Sequence, residues 1–125
     1  MIFRLELFVH NLNVSKEFYK NLGLSLIYES EERVNFEGDN IVIMLAPDHT
    51  LHDNHHFKRE GYSNKGKGKG VELILLCENI EKIYENFRSL YPSSIESKLK
   101  KQEWGLVDFR VMDPDGYYFR ISTGK

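Results

Sequence analysis

Hydrophobic and polar residues alternate over the first nine positions of the chain, which is the period of a strand with one buried face. One side of this strand carries Phe3, Leu5, Leu7 and Val9, and the other carries Arg4, Glu6 and Phe8. Apolar residues then recur at helical spacing between Val14 and Leu22. Asn11 or Asn13 is placed to cap this helix, and Gly23 to end it. The pattern predicts a strand followed by a short helix.

Three strand-like runs follow at about 24–30, 32–38 and 40–46, and the Glu-Gly-Asp-Asn stretch at 37–40 marks a tight connection. The first module, about residues 1–46, is therefore predicted to be βαβββ.

The same succession of elements returns in the last third of the chain. Residues 71–77 alternate as a strand, and Asn79 opens a helix that carries Ile80, Ile83, Tyr84 and Phe87. Further strands are predicted near 94–101, 106–112 and 117–122. The second module, about residues 70–125, repeats the first within a single α+β domain.

Residues 47–69 interrupt this rhythm with proline, glycine, lysine and histidine, a composition typical of an exposed linker. Its histidines are His49, His52, His55 and His56. Their spacing suits a metal site, but a solvated, mobile linker or a pocket lid is favoured. The Lys-Gly run at 64–70 precedes a strand rather than a helix, so a flexible tether is favoured over a phosphate loop.

Composition narrows the range of functions. The 125 residues include 17 basic and 19 acidic side chains and a net charge of −2, which gives no support for nucleic-acid binding. No apolar run is long enough for a membrane helix, and charges interrupt the N-terminal segment too early for a signal peptide. Cys77 is the only cysteine, which favours a reducing cytoplasm and a buried thiol on a strand.

Three segments resemble one known superfamily. LELFVHNLNVSKEFYKNLGL is similar to the opening strand and helix of the vicinal-oxygen-chelate proteins, which include glyoxalases, bleomycin-resistance proteins and ring-cleaving dioxygenases. GVELILLCENIEKIYENF resembles the start of their second module, and WGLVDFRVMDPDGYYFRIS their ending. The resemblance implies a cupped eight-stranded mixed sheet with helices on the convex side, a small-molecule pocket and a homodimer.

The superfamily's metalloenzymes hold a divalent ion with His or Glu from the first and last strands of each module. Carried over, these positions fall on Arg4, near Met44, on Glu72 and on Arg120. Only Glu72 has a suitable side chain, because arginine keeps its proton and repels a cation. The resemblance therefore implies a chain without metal at the usual place, closest in pattern to metal-free bleomycin-resistance-like members.

The alternation also predicts a polar strand face that contains Arg4, Glu6, Glu72, Tyr118, Arg120 and Ser122. One interpretation is a site in which Arg4 and Arg120 bind a carboxylate or phosphate, and Glu6 or Glu72 holds an amine or hydroxyl. The other is that these charges pair across strands or face water. Phe8, Met44, Trp104 and Tyr118 complete the candidate ligand-binding set.

Two aromatic residues near the C-terminus and the turn between them are open to more than one interpretation. Trp104 either packs structurally or lines the pocket, whereas Tyr117 shares the face of Phe119 and Ile121 and is predicted to be core. The Asp113–Gly116 turn has proline second and glycine fourth, which suits a structural type I turn.

These observations favour a metal-independent small-molecule-binding protein, without a cofactor, that sequesters an antibiotic or metabolite. The alternative is a lyase, isomerase or dioxygenase with a displaced metal site built from Glu6, Glu72 and linker histidines. A third hypothesis is a purely dimerising or regulatory module whose own side chains fill the pocket.

Overall fold

The computed structural model describes residues 1–63 and 66–124 of the chain. It divides into two compact units, Met1–Lys65 and Gly66–Lys125. Each unit contains one four-stranded sheet, so the eight strands of the described residues form two sheets of four. The predicted α+β class and the two βαβββ modules are confirmed.

The first unit has a mixed sheet in the order β1-β4-β3-β2, in which β1 runs parallel to β4 and the other pairs are antiparallel. Its elements are β1 (Phe3–Val9), α1 (Leu12–Tyr19), β2 (Ser25–Glu29), β3 (Val34–Glu37), β4 (Ile41–Pro47) and the short helix α2 (His56–Arg59).

Helix α1 begins and ends where the sequence predicts. The Asn11 side chain accepts a hydrogen bond from the Val14 amide at 3.1 Å, and Gly23 ends the following 3₁₀ turn with a φ of 83°. Phe18 and Tyr19 are fully buried, whereas Val14, assigned to the apolar face, is half-exposed.

The second unit repeats this topology, with the order β5-β8-β7-β6 and a parallel pair between β5 and β8. Its elements are β5 (Glu72–Leu76), α3 (Ile80–Leu90), β6 (Ile95–Lys101), β7 (Val107–Met112) and β8 (Tyr118–Ser122).

Helix α3 packs on this sheet through aromatic residues. The ring centroids of Tyr84 and Phe87 lie 5.1 and 6.2 Å from that of Phe109, which is fully buried. Asn79 precedes the helix as predicted, but its side chain makes no capping hydrogen bond. The prediction of a capping asparagine after each opening strand therefore holds only for Asn11.

The segment predicted to be an exposed linker is partly buried. Leu51 packs with Phe8 and Ala46 in one buried cluster, and Tyr62 packs against that cluster. Phe8 makes edge-to-face contacts with His55 and Phe57, at centroid separations of 5.8 and 5.9 Å. The apolar residues of this segment are scattered among polar ones and have no regular period. The sequence pattern therefore does not reveal that they cover one end of β1.

The described part of the Lys-Gly run is also anchored, which contradicts the predicted flexible tether. Lys67 pairs with Asp115 at 2.7 Å, and their side chains are only 1% and 3% exposed. A Cβ atom on Gly68 would lie 2.7 Å from the Tyr117 ring, and Gly68 has a φ of 67°, so a side chain would not fit there. Asn64 and Lys65, the first two residues of the run, lie outside the described residues.

The Asp113–Gly116 turn has the predicted structural role. The Gly116 amide donates to the Asp113 carbonyl at 3.0 Å, and the Asp113 carboxylate accepts from the amides of Asp115 and Tyr117 at 2.9 and 2.8 Å. Tyr117 itself is only half-buried, so its assignment to the core is too strong.

Cys77 follows the end of β5 and is half-buried, rather than lying within the strand as predicted. Burial raises the pKa of its thiol, and the charge of Glu81 adds to this shift. A raised pKa favours the unreactive thiol over the thiolate.

No helix in the described ranges is long and apolar enough to cross a membrane.

Candidate functional site

The second unit places two arginines side by side. Arg110 on β7 and Arg120 on β8 are direct cross-strand partners. Glu72, on the neighbouring strand β5, forms ion pairs with both. Its Oε1 atom is 3.2 Å from Arg120 Nε and 3.6 Å from Arg110 Nε. One carboxylate oxygen therefore faces two guanidinium groups.

These contacts leave donors unused. The Nε atoms of Arg110 and Arg120 are inaccessible to solvent, yet among the described residues neither has a hydrogen-bond partner. Glu72 forms ion pairs with both arginines, but its Oε1 atom is too far from Arg110 Nε for a hydrogen bond and lies in an unsuitable direction from Arg120 Nε. An unpaired buried donor is costly and therefore calls for an explanation.

Two other carboxylates of this unit accept hydrogen bonds away from the arginines, although the Oδ2 atom of Asp108 is buried without a hydrogen-bond partner among the described residues. Tyr118 donates its hydroxyl proton to Glu96 at 2.8 Å, and burial followed by this hydrogen bond raises the pKa of the phenol. Asp108 is buried and accepts a hydrogen bond from the Gln102 amide at 2.7 Å. Glu72 is thus the carboxylate that pairs with the arginines.

The first unit contains a pocket of about 360 Å³. It lies beside β1, the end of β2 and the segment after β4. Its charged and aromatic lining residues are Glu6, Glu32, Arg33, His55, Phe8 and Tyr28. The volume falls in the range of sites that bind small molecules.

Several charged side chains in this pocket are without a partner among the described residues. In residues 1–63 and 66–124, the side chains of Glu6, Glu32 and Arg33 make no hydrogen bond or ion pair. His55 uses its Nδ1 atom to accept a hydrogen bond from the Phe57 amide at 3.1 Å, so its ring is fixed at the edge of the pocket. The pocket can therefore offer both anionic and cationic groups to a ligand.

The structure groups the predicted site residues within each unit. Glu6 and Phe8 line the pocket, and Met44 is the register partner of Glu6 on β4. Phe8, assigned to the polar face, is buried beneath the 51–62 segment. Arg4 lies two residues before Glu6 and does not line the pocket.

In the second unit, Glu72 and Arg120 meet directly, and Tyr118 lies on the same strand as Arg120. Trp104, in the turn between β6 and β7, is 58% exposed, so packing within the core does not account for it.

Sequence analysis missed Arg110, although a signal was present. Phe109 and Val111 are buried, so the alternation in β7 places Arg110 on the face of Arg120. Glu32 and Arg33 had no comparable signal, because they lie outside the strands and their position depends on long-range folding. His55 was among the linker histidines considered in the sequence, and it lines the pocket.

The residues at the superfamily's metal positions do not fit a divalent ion. Glu72, the only carboxylate among them, forms an ion pair with Arg120, which occupies another of these positions. Arg4 offers no lone pair, and a methionine thioether such as that of Met44 suits soft metals. Within the described residues, no group of three or more His, Cys, Asp or Glu side chains is arranged to hold an ion.

Solved structures with this fold cover nearly the whole chain. A protein of unknown function from Agrobacterium tumefaciens strain C58 is 22% identical, with a TM-score of 0.77 over 100% of this chain and 94% of that one. A glyoxalase-related enzyme from Fulvimarina pelagi is 15% identical, with a TM-score of 0.74 over 99% and 88%. A lactoylglutathione lyase from Agrobacterium tumefaciens is 17% identical, with a TM-score of 0.69 over 99% and 93%.

These likenesses show that the fold of two paired βαβββ modules is shared with glyoxalase-related structures. The sequence profile of the glyoxalase-like domain matches residues 3–124. The chain therefore belongs to the glyoxalase-like domain family. None of the curated proteins compared with the chain matches it.

Proposed function

We propose that this protein binds a small molecule without a metal ion, in the manner of bleomycin-resistance proteins, and sequesters an antibiotic or metabolite. The observation that carries the proposal is the position of Glu72, whose carboxylate is engaged by Arg110 and Arg120. A cation bound by Glu72 would face two permanent positive charges within a few ångströms. Recognition of polar groups by fixed side chains is the chemistry that this arrangement supports.

The pocket in the first unit supports the same proposal. Its aromatic side chains, Phe8 and Tyr28, offer apolar contact area, and Glu6 and Glu32 offer acceptors for an amine or hydroxyl. Ligand sites commonly combine an apolar lining with a few polar groups that fix orientation.

Assembly and location complete the proposal. A homodimer is proposed from the superfamily resemblance, and a cytoplasmic location from the single cysteine. The alternative, an enzyme with a displaced metal site, lacks a set of three donors among the described residues.

Elemental analysis tests the absence of a metal ion. Protein purified without an affinity tag is expected to contain no stoichiometric Zn, Ni, Mn or Fe, and these ions are expected to leave its thermal unfolding unchanged. Glu72→Ala should behave in the same way, because Glu72 pairs with arginines rather than with an ion. Stoichiometric metal in the wild type that disappears in Glu72→Ala would instead establish the enzyme alternative.

Calorimetric screening of antibiotics and small metabolites tests the pocket. A bound compound that carries an amine is expected to lose about tenfold in affinity in Glu6→Gln, because the variant removes a charge-assisted hydrogen bond. Glu31→Gln is the matched control, since Glu31 is exposed and does not line the pocket. The proposal fails if no compound binds at millimolar concentration, or if both variants bind equally.

A further inference from the structure

We propose that Arg110 and Arg120 form an oxyanion-binding site in the second unit, which takes a carboxylate or phosphate group of the ligand. In the free protein, Glu72 occupies this site as an internal substitute for the ligand. The inference rests on the proposed metal-independent function, because a metal ion on Glu72 would exclude an anion from the arginines.

The position of the two arginines is the first argument. Residues directly opposite on antiparallel strands have Cβ atoms about 4.5–5.5 Å apart, and like charges placed there repel each other. Such a pair is stabilised when an anion lies between the two guanidinium groups. Only Glu72 does so among the described residues, and it presents a single oxygen to both.

The unused donors are the second argument. Each guanidinium has five N–H groups in a planar fork that matches the oxygens of a carboxylate or phosphate. The buried Nε atoms of both arginines lack a hydrogen-bond partner within the described part of the chain, although Glu72 is close. An oxyanion with two or more oxygens would satisfy donors that one Glu72 oxygen cannot reach.

Access and competition are the third argument. The side chains of Arg110 and Arg120 are 32% and 23% exposed, so a ligand can contact their accessible atoms from solvent, and the buried Nε atoms become reachable once Glu72 is displaced. Glu96 and Asp108 already accept hydrogen bonds from Tyr118 and Gln102. Glu72 is consequently the carboxylate that an incoming anion displaces.

Titration with inorganic phosphate and with acetate, followed through the arginine Nε–H signals in NMR spectra, tests this site. Glu72→Gln is expected to bind phosphate about tenfold more tightly than the wild type, because the competing carboxylate is removed. Arg110→Gln and Arg120→Gln are expected to lose about tenfold or more. Arg88→Gln is the matched control, because Arg88 is exposed on α3 and pairs with Glu85.

The outcomes separate this inference from the proposed function. Tighter phosphate binding by Glu72→Gln, with Arg88→Gln unchanged, supports the site even if an arginine variant fails to fold. Equal binding by wild type and Glu72→Gln overturns it, as does an equal loss in Arg88→Gln, which would indicate non-specific attraction. Metal-free protein without anion binding refutes the oxyanion site alone, whereas metal on Glu72 refutes the proposed function as well.

Discussion

Replacing Lys67 by methionine is expected to lower the free energy of unfolding by about 3–5 kcal/mol, the largest effect of any charged residue considered in the second unit. The Lys67 ammonium lies 2.7 Å from the Asp115 carboxylate, and both side chains are almost completely buried. Methionine keeps most of the side-chain volume but removes the ammonium group that pairs with the buried Asp115 carboxylate. Guanidinium chloride denaturation followed by circular dichroism measures the change.

Two further variants identify the cause of this loss. Lys69→Met changes an exposed lysine of the same Gly-rich run and should stay within about 0.5 kcal/mol of the wild type. The double variant Lys67→Met with Asp115→Leu removes both charges and should recover most of the lost stability, because a buried ion pair can be replaced by apolar side chains. If the single variant has wild-type stability, the ion pair does not anchor the run.

The Lys67–Asp115 pair also shows where sequence analysis reaches its limit. Lysine and glycine alternating without apolar residues are typical of a tether, and nothing local distinguishes Lys67 from Lys69. The partner of Lys67 lies 48 positions away. A contact at that separation has no periodic signal, so only the folded chain reveals it.

The strands, in contrast, were predictable because their signal is local. Burial of one sheet face imposes a two-residue period on the sequence itself, and this period located β1 and β5. Strand-like runs between turn residues located the other six described strands within a few residues of their observed bounds. The same period places Arg110 on the face of Arg120, but Arg110 is not one of the superfamily's metal positions. Both arginines were therefore accessible from the sequence, although only Arg120 was predicted.

Phe8 illustrates a different limit. Alternation assigned it to the polar face with Arg4 and Glu6, and its backbone does lie in that register. Its side chain is nevertheless 8% exposed, because the 51–62 segment covers that end of the sheet. Local periodicity tells which face a residue occupies, but not whether a later segment packs over that face.

Phe8→Ala is expected to lower the free energy of unfolding by about 3–5 kcal/mol, since it removes a buried aromatic side chain and leaves a cavity. Phe8 packs with Ala46 and Leu51, and its ring also contacts His55 and Phe57. Loss of this anchor should release the segment from β1 and widen the pocket. Chemical denaturation gives the global change, and hydrogen exchange of the amides in residues 51–62 gives the local one.

Phe3→Ala is the matched control, because Phe3 lies on the same strand but is 60% exposed. It should cost less than about 1 kcal/mol and leave hydrogen exchange in the 51–62 segment unchanged. If Phe8→Ala destabilises the protein without faster exchange in that segment, Phe8 stabilises the sheet but does not hold the wall of the pocket. Faster exchange confined to Phe8→Ala, accompanied by weaker binding of any ligand found in the calorimetric screen, would establish that the segment forms part of the binding site.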